Sequence, residues 1–324
     1  MSSLGVVIFT YDRPSHLDQL LRTYYQNRTP RLLPTTIYMD APRNVVSEKA
    51  QIEIKKIIHS YNEIYKNLTL IKRKKNLGSK MNITSGITES FKYFNKLIIL
   101  EDDLVLSEYF LEYMSDGLEY FEGSKQVYHV SGCSLIENTP TLDPYFTMYM
   151  NCWGWGTWRD KWEQICLNAA SHKYDMNEEE VRDFNLNNSH DFHRQLLENR
   201  NGMISTWAIL WYACIFKNNG LCLSPGISLV NNSGNDGSGE RHGKIMPIPF
   251  TDQVPSSCYP EDIKEDQNAR ELLVQYFQNQ RSSLAEIIKN IVYCLPARFQ
   301  RPTLRLLMLV RYRLDIARKK RLWR

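Results

Sequence analysis

Short apolar runs alternate with segments of helical periodicity over residues 5–100. The apolar runs are predicted strands: Gly5 to Thr10, Thr35 to Met39, Leu68 to Ile71 and Leu97 to Leu100. Between them apolar residues recur three and four positions apart, as in Leu17, Leu20 and Leu21, and Pro14 suits the first turn of that helix. Because strands that alternate with helices form a mostly parallel, right-handed wound sheet, the pattern predicts an α/β fold flanked by helices.

The rest of the chain is less regular. Apolar spacing predicts further elements: a helix through Leu106, Phe110 and Leu118, strands at 127–130 and 145–150, a helix over 204–215 and a strand-like segment over 221–230. The segment from Asn151 to Trp162 contains four tryptophans and two glycines, which are poor material for a regular element, but Trp158 and Trp162 form an i, i+4 pair that opens a helix. A small-residue polar loop over 231–243 is long enough to act as a lid.

Prolines punctuate the chain after residue 246, and further helical patterns follow them. The predicted helices are 261–280, 283–294 and 303–321. We therefore expect one domain over residues 1–250, in two halves at 1–104 and 105–250. A linker and a helical C-terminal extension over 251–324 complete the chain.

The net charge of +4 conceals an uneven distribution. Residues 296–324 hold ten of the 40 basic and one of the 36 acidic residues, so the remainder has 30 and 35, a balance of −5. The body is therefore not a nucleic-acid binder by charge. The basic tail is expected to dock on anionic lipid; the alternative is a helix packed on the body or on another subunit.

Cysteine usage and hydropathy favour a cytoplasmic protein. The seven cysteines are an odd number and show no zinc-binding spacing, which is typical of reduced thiols. No basic leader precedes the first strand, and no apolar run approaches the roughly 18 residues of a membrane span. We therefore expect a cytoplasmic chain, peripheral on the inner face of the membrane. Nothing in the sequence indicates an oligomeric state.

An acidic triplet, Glu101-Asp102-Asp103, follows the fourth predicted strand. Adjacent carboxylates repel one another, and burial disfavours their ionised forms unless a cation neutralises them. Open α/β sheets also bind ligands at the carboxyl ends of their strands. These considerations favour a divalent ion with a diphosphate; the alternative is a solvated acidic turn that caps a helix starting near Ser107.

Two common nucleotide-binding motifs are absent. No GxGxxG follows the first strand, which disfavours a dinucleotide-binding domain, and no GxxxxGK[ST] occurs, which disfavours a P-loop nucleotidase. The basic run from Arg73 to Lys75 is within reach of a diphosphate, but such a run is more often a solvated face.

Four motifs together resemble a known family. They are Thr-Tyr-Asp-Arg-Pro from residue 10, Asp40 after the second strand, the triplet at 101–103, and Trp-Gly-Trp-Gly from residue 153. The combination resembles the GT-A glycosyltransferases, most closely bacterial sugar transferases related to the N-acetylglucosaminyltransferase I family. The likeness covers Leu4 to Gly243. It implies a nucleotide-binding half over 1–104 and an acceptor half over 105–250.

The resemblance implies a donor site for a UDP-sugar. The residues it implicates are Thr10, Tyr11, Arg13, Asp40, Asn76, Gly78, Glu101 and Asp102. Asp40 would accept a hydrogen bond from the uracil edge or the ribose, and Asp102 would contact the ribose or the second shell of the metal. Asp103 would ligate Mn²⁺ or Mg²⁺, and His242 would complete the metal or diphosphate site. The rival for Thr10 and Tyr11 is ordinary packing at a strand end.

The acceptor side follows from the same likeness. Trp153, Gly154 and Trp155 would contact the sugar, with Trp153 or Trp155 exposed and Trp158 and Trp162 buried. Flat apolar rings suit the apolar face of a sugar, although core packing is the rival explanation for each tryptophan.

The catalytic base departs from the family pattern. With Trp207 aligned to the tryptophan that precedes the family's catalytic aspartate, this chain has Ala208 in its place. An inverting transfer needs a carboxylate to deprotonate the acceptor hydroxyl. Asp236 is the first replacement candidate, followed by Asp191 and Asp160. The departure leaves retention of configuration open.

The sequence thus predicts a metal-dependent glycosyltransferase. The resemblance implies an acceptor that is a surface polysaccharide precursor, such as a polyprenyl-diphosphate-linked glycan. Two alternatives stay open: a sugar-nucleotide pyrophosphorylase, and a carbohydrate- or nucleotide-sugar-binding module that has lost catalysis. Pyrophosphorylases have a glycine-rich basic loop after the first strand, which residues 10–14 do not resemble.

Overall fold

The computed structural model describes residues 4–28, 32–136, 143–168, 171–236, 253–256 and 258–280. The strands are β1 (Leu4–Thr10), β2 (Thr35–Met39), β3 (Leu68–Lys72), β4 (Lys96–Glu101), β5 (Leu104–Leu106), β6 (Val127–Ser131), β7 (Tyr145–Thr147), β8 (Trp155–Trp158), β9 (Leu221–Ser224) and β10 (Val230–Asn232). The α-helices are α1 (Pro14–Tyr25), α2 (Val45–Tyr65), α3 (Gly78–Ser90), α4 (Phe110–Tyr120), α5 (Arg159–Trp162), α6 (Glu178–Phe184), α7 (Phe192–Arg200), α8 (Ala208–Lys217) and α9 (Gln267–Gln280). Two 3₁₀ turns cover His172–Tyr174 and Ser233–Asp236.

Within the described residues, eight strands form one sheet in the order β3-β2-β1-β4-β8-β6-β9-β7. The first four strands of this order are mutually parallel, and β9 is parallel to β6. β8 runs antiparallel between β4 and β6, and β7 runs antiparallel to β9. β5 and β10 form a separate antiparallel pair. The predicted mostly parallel α/β sheet flanked by helices is confirmed.

The parallel half follows the hydrophobic pattern closely. Val6, Val7 and Ile8 of β1 are fully buried, and Leu97 to Leu100 of β4 are at most 1% exposed, as expected for strands covered on both faces. Pro14 occupies the first turn of α1, where a missing N–H costs no hydrogen bond. Parallel pairing therefore places the ends of β1, β2 and β4 on one edge of the sheet.

Residues 155–158 of the tryptophan-rich stretch form the central strand β8, so the prediction of no regular element is wrong for them; the helix expected to open at Trp158 is confirmed as the short α5. The ring of Trp155 stacks on Trp207 and His129, and the indole of Trp158 donates to the Leu118 carbonyl at 3.0 Å. Between them, Gly156 passes close to the neighbouring strand β4. Tertiary packing therefore makes a strand of residues whose composition favoured a loop.

The segment after the acidic triplet also differs from the prediction. Leu106 was expected in a helix, but residues 104–106 form β5, which pairs with β10 in the register Leu106 to Val230. The backbone N–H of Ser107 donates to the Leu229 carbonyl at 2.9 Å. This pairing brings the beginning of the 231–243 loop to the acidic triplet.

The described part of the C-terminal extension packs on the body. Helix α9 begins at Gln267, later than predicted, and buries Ala269, Leu273 and Phe277 in the core. The helices predicted at 283–294 and 303–321, with the basic tail, lie outside the described residues. In the part of the chain that the structure describes, no helix has both the length and the apolarity to cross a membrane.

We expect Gly156→Ala to destabilise the fold. A Cβ at this position would lie 2.9 Å from the backbone oxygen of Leu97 and 2.8 Å from Leu118 Cδ1. Because a strand carbonyl cannot move aside, we expect the free energy of unfolding to fall by about 3 kcal/mol in urea titrations. Gly117→Ala is the matched control, since its nearest contact is a flexible Val130 methyl at 3.2 Å. Equal losses of unfolding free energy in the two variants would contradict a critical close backbone contact at Gly156.

Candidate functional site

Asp102 is the buried centre of the acidic triplet. It is 3% exposed and lies just beyond β4, beside the end of β1. Its Oδ2 accepts hydrogen bonds from Thr10 Oγ1 at 2.8 Å and from the backbone N–H of Tyr11 at 3.3 Å, and Arg13 Nη2 donates to its Oδ1. The structure thus brings together four residues that the sequence argument had placed in one site.

A single guanidinium bridges two carboxylates at this site. Arg13, the residue before α1, also donates through Nη2 to Asp103 Oδ2 at 3.0 Å. The sequence argument gave the neutralising role to a divalent ion and placed Arg13 in the wall of the nucleotide pocket. In the structure, Arg13 itself supplies the positive charge that allows the two adjacent acids to lie together.

Burial and charge act in opposite directions on this cluster. Burial raises the pKa of the Asp102 carboxyl; Arg13 and the hydrogen bond from Thr10 oppose that rise without cancelling it. Burial lowers the pKa of the Arg13 guanidinium, but the two carboxylates more than offset this, and the net shift is upward. Asp102 therefore depends on Arg13 to stay ionised.

Asp103 contacts the start of the 231–243 loop, from which sequence reasoning had named Asp236 and His242 but not the residues that touch Asp103. Its backbone oxygen accepts hydrogen bonds from the N–H of Ser233 at 2.8 Å and from Ser233 Oγ at 3.0 Å. Asn232 Nδ2 lies 3.4 Å from Asp103 Oδ1. A Cβ on Gly234 would overlap Asp103 Oδ2, so glycine at this position lets the turn approach the carboxylate closely. The β5–β10 pairing creates this contact, and no local motif marks it.

The prediction that Asp40 contacts the nucleotide is not supported by its surroundings. Asp40 is 4% exposed, and its Oδ1 accepts from the N–H groups of Ala41 at 2.9 Å and Leu77 at 2.8 Å. Its Oδ2 accepts from Leu77 at 3.1 Å and Gly78 at 2.8 Å. Three backbone N–H groups, one of them shared between the two oxygens, therefore engage both oxygens of the carboxylate. Asp40 instead positions the loop before α3 and places a negative charge at the positive end of that helix.

The Asn76 to Gly78 turn joins the ends of β2 and β3. Asn76 Nδ2 donates to the Ala41 carbonyl at 2.6 Å, and its Oδ1 accepts from Arg43 Nε at 2.9 Å. Gly78 has a φ of +75°, a left-handed conformation that favours glycine. The turn therefore lies where the resemblance placed it, at the carboxyl edge of the sheet.

Tyr11 is half-buried at this carboxyl edge of the sheet. Its hydroxyl accepts from the N–H of Arg43 at 3.1 Å, and the Arg43 guanidinium carbon lies 5.7 Å from the ring centroid. Gln51 Nε2 donates to the carbonyls of Tyr11 at 3.0 Å and Asp40 at 2.8 Å. Sequence reasoning missed Arg43 and Gln51. A signal for Gln51 existed, because it shares the buried face of α2 with Ile54 and Ile58.

Of the two candidate sugar-stacking tryptophans, Trp153 is the one that keeps part of its surface accessible. Trp153 is half-buried, whereas Trp155 is 1% exposed and presents no surface to an acceptor, so the expectation that Trp155 contacts one is corrected. Its position on a central strand explains the burial. Trp158 and Trp162 are buried at 4% and 2%, and that prediction is confirmed.

The backbone around Gly154 holds Trp153 in place. The Gly154 carbonyl accepts from the N–H of Gly132 at 2.7 Å, and the Trp153 N–H donates to Asn151 Oδ1 at 2.8 Å. A Cβ on Gly154 would lie 2.8 Å from the ring of Phe110, so the close packing requires glycine here. The predicted acceptor loop is therefore fixed on the core.

The candidate bases lie in different surroundings. Asp191 caps α7, accepting from the Arg194 N–H at 3.2 Å and pairing with its Nε at 2.8 Å. Asp160 is exposed in the first turn of α5. The backbone of Asp236 ends the 3₁₀ turn that starts at Ser233, next to Asp103. His242 lies outside the described residues.

The basic run does not behave as one unit. Arg73 turns inward and pairs with both carboxylate oxygens of Glu89, at 2.8 and 2.9 Å, with its guanidinium carbon 4.7 Å from the Tyr38 ring centroid. A solvated face therefore describes Lys74 and Lys75, which are exposed, but not Arg73. Arg73 is a structural residue.

Asp103 is the described residue best suited to bind a metal. Within the described ranges, no group of three or more His, Cys, Asp or Glu side chains is arranged to hold an ion. Mg²⁺ is nevertheless commonly held by one or two carboxylates together with substrate phosphates. The Asp103 carboxylate, which is 16% exposed, keeps some accessible surface for that mode of binding. Glu101, at the end of β4, is also half-buried.

Comparison with known proteins yields distant structural similarities. No protein-family profile matches the chain, and no curated protein sequence matches it. S. aureus TarS in complex with UDP-GlcNAc is similar at 12% identity and a TM-score of 0.31, over 40% of this chain and 33% of that one. The mannosyltransferase PcManGT from Pyrobaculum calidifontis, in complex with GDP-Man and Mn²⁺, is similar at 11% identity and a TM-score of 0.39, over 65% and 73%. The chain thus spans about a third of the TarS chain. At these TM-scores neither similarity carries an argument about activity.

We expect Arg13→Met to destabilise the protein in a pH-dependent way. Without the guanidinium, buried Asp102 loses its counter-ion, and the free energy of unfolding should fall by about 3 kcal/mol at about pH 8. Because the folded-state pKa of Asp102 lies above its unfolded value, the folded state binds the extra proton. The deficit should therefore shrink as the pH falls toward 5. Urea titrations at the two pH values measure this difference.

The control is the double variant Arg13→Met, Asp102→Asn. It removes the buried charge together with its partner, so it should recover most of the lost stability and show no such pH dependence. A deficit that is the same at both pH values in the single variant would show that Arg13 does not neutralise Asp102.

Proposed function

We propose that this chain is a glycosyltransferase that moves a sugar from a nucleotide-sugar donor, a UDP-sugar, to a glycan acceptor. The observation that supports this proposal is the Thr10, Arg13, Asp102 and Asp103 cluster at the carboxyl ends of β1 and β4. It combines a fixed cation with a partly exposed carboxylate at the edge where open α/β sheets bind ligands. A diphosphate with a divalent ion requires both kinds of group.

The donor diphosphate would lie between Arg13 and Asp103. Asp103 would hold Mn²⁺ or Mg²⁺, which when bound acts as a Lewis acid on the leaving diphosphate. Arg13, kept in place by Asp102 and one-fifth exposed, would supply a second positive charge to the same phosphates. Tyr11 and Arg43 would line the nucleoside side of the pocket, and Asp40, Asn76 and Gly78 would shape its floor through the backbone.

The acceptor would approach from the side of Trp153. An aromatic ring fixed by a rigid backbone suits the apolar face of a sugar. Asp236 is the favoured base for an inverting transfer, because its backbone follows the turn bonded to Asp103. Asp191 is less suited, since its carboxylate already caps a helix and pairs with Arg194.

The acceptor that we propose is a lipid-linked surface polysaccharide precursor, such as a polyprenyl-diphosphate-linked glycan. The enzyme would then work at the inner face of the cytoplasmic membrane, with its basic tail on anionic lipid. A binding module without catalysis and a sugar-nucleotide pyrophosphorylase are the competing functions. They differ in chemistry: the module releases no nucleotide, and the pyrophosphorylase consumes pyrophosphate.

A panel of nucleotide sugars with Mn²⁺ tests the proposal. Slow release of nucleoside diphosphate is expected with the correct donor, and Asp103→Asn should lower the rate at least about 100-fold with the fold intact. Asp18→Asn, an exposed carboxylate on α1, is the matched control and should retain full activity. Saturable binding without release would instead support the module, and formation of nucleoside triphosphate and sugar 1-phosphate that requires added pyrophosphate would support the pyrophosphorylase.

The candidate bases can be separated by substitution. Asp236→Asn should lower kcat by about 10²- to 10⁴-fold while donor binding is kept, because a general base acts on the acceptor hydroxyl. Asp191→Asn should leave kcat close to that of the wild type and lower the free energy of unfolding by about 1 kcal/mol or less, since Asn still caps the helix and only the solvent-accessible ion pair with Arg194 is lost. The reverse pattern in kcat would assign the base to Asp191.

A further inference from the structure

Three large apolar side chains are exposed around one corner of the sheet, close to the candidate site. They are Val45 and Val46 at the start of α2, at 64% and 77% exposure, and Met81 in the first turn of α3, at 52%. Single exposed apolar residues are ordinary on protein surfaces. Three on two adjoining loop-helix junctions form a patch that requires another explanation.

Hydrogen bonds hold these two junctions together. Arg43 Nε donates to Asn76 Oδ1 at 2.9 Å, and Asn76 Nδ2 donates to the Ala41 carbonyl at 2.6 Å. Val45 and Val46 lie just after the segment 41–43. Lys80 and Met81 lie after the segment 76–78, and Lys74 and Lys75 lie before it. We call Val45, Val46, Lys74, Lys75, Lys80 and Met81 the rim patch.

The lysines of the rim patch are not neutralised by neighbours. Lys74 and Lys75 are exposed, and neither they nor Lys80 pairs with a carboxylate among the described residues. Burial lowers the pKa of Lys80, and no acidic group opposes that shift. The nearby charges of Glu48 and Lys49, in the first turns of α2, cancel one another. The patch therefore combines apolar side chains with uncompensated positive charge.

Local structure does not account for the two valines. Asn44 and Ser47 cap α2 reciprocally, so the start of the helix is already stabilised by polar groups. Valine is a weak helix former, and at these positions neither side chain packs in the core. Lys74 and Lys75 lie beyond the end of β3 and likewise contribute nothing to the sheet, whereas the guanidinium of Arg73 beside them donates to the Glu89 carboxylate.

We propose that the rim patch docks on an anionic lipid bilayer, with Val45, Val46 and Met81 in the headgroup region and the lysines on the lipid phosphates. Exposed apolar side chains flanked by unpaired lysines are typical of surfaces that bind at a membrane interface. The patch adjoins the loop that Asp40 holds, so docking would turn the donor edge of the sheet toward the membrane. The idea that this orientation presents a lipid-linked acceptor to the site rests on the proposed function, whereas docking on the bilayer does not.

Vesicle partitioning of the full chain tests the docking surface. With vesicles of phosphatidylcholine and phosphatidylglycerol, Lys74→Gln, Lys75→Gln should lower the partition coefficient about 25-fold, from roughly fivefold for each lysine near an anionic surface. Val45→Ser, Val46→Ser should lower it about tenfold. Lys92→Gln, Lys125→Gln carries the same charge change on exposed residues outside the patch, and Ile64→Ser removes an exposed apolar side chain at the far end of α2. These two controls should bind like the wild type.

A depth measurement separates the rim patch from the basic tail. Brominated lipids should quench the added tryptophan of Val46→Trp and leave that of Ile64→Trp unquenched, because the two positions lie at opposite ends of one helix. Equal quenching, equal losses in patch and control variants, or no binding of the wild type would overturn the proposal. Retention on RNA or on an acidic protein with no partition onto vesicles would also overturn it. Since no donor is present, these outcomes are independent of whether the chain transfers a sugar.

Discussion

The bridge from Arg13 to Asp102 and Asp103 is the interaction on which the candidate site depends. Two neighbouring acids, one of them 3% exposed, are stable at the end of a buried strand only when positive charge lies between them. Arg13 reaches them because β1 and β4 are paired in parallel, which sets the start of α1 beside the end of β4. The parallel strand pairing that forms the sheet therefore also brings the opposite charges of the site together.

Asp40 provides a second example of a carboxylate used to shape the backbone. Its four hydrogen bonds fix the turn before α3, and Gln51 ties the same strand end to Tyr11. The two buried acids of this edge, Asp40 and Asp102, are therefore surrounded by donors from the chain itself. Asp103, whose side chain is 16% exposed, differs from both. It has the fewest internal partners of the three carboxylates, and the proposed function therefore gives it the metal.

The sequence was sufficient for the parallel half of the fold, because local hydrophobic periodicity applies there. The acidic triplet was marked by the strand-end rule, whereas Thr10 and Arg13 were implied only by the family resemblance. The sequence was insufficient for β8, whose tryptophans are held by packing against Trp207 and Leu118, far away in the chain. It also missed Asn232 and Gly234, which reach Asp103 only through the β5–β10 pairing. Residues joined by long-range pairing carry no local signature.

The separation between Asp103 and Ser233, 130 positions along the chain, bears on the order in which the protein is assembled during synthesis. Thr10, Arg13, Asp102 and Asp103 all belong to the first 103 residues, so the repelling acids can be neutralised before Asn232 leaves the ribosome. During synthesis the N-terminal segment therefore does not require residues 232–234 to neutralise its buried carboxylates.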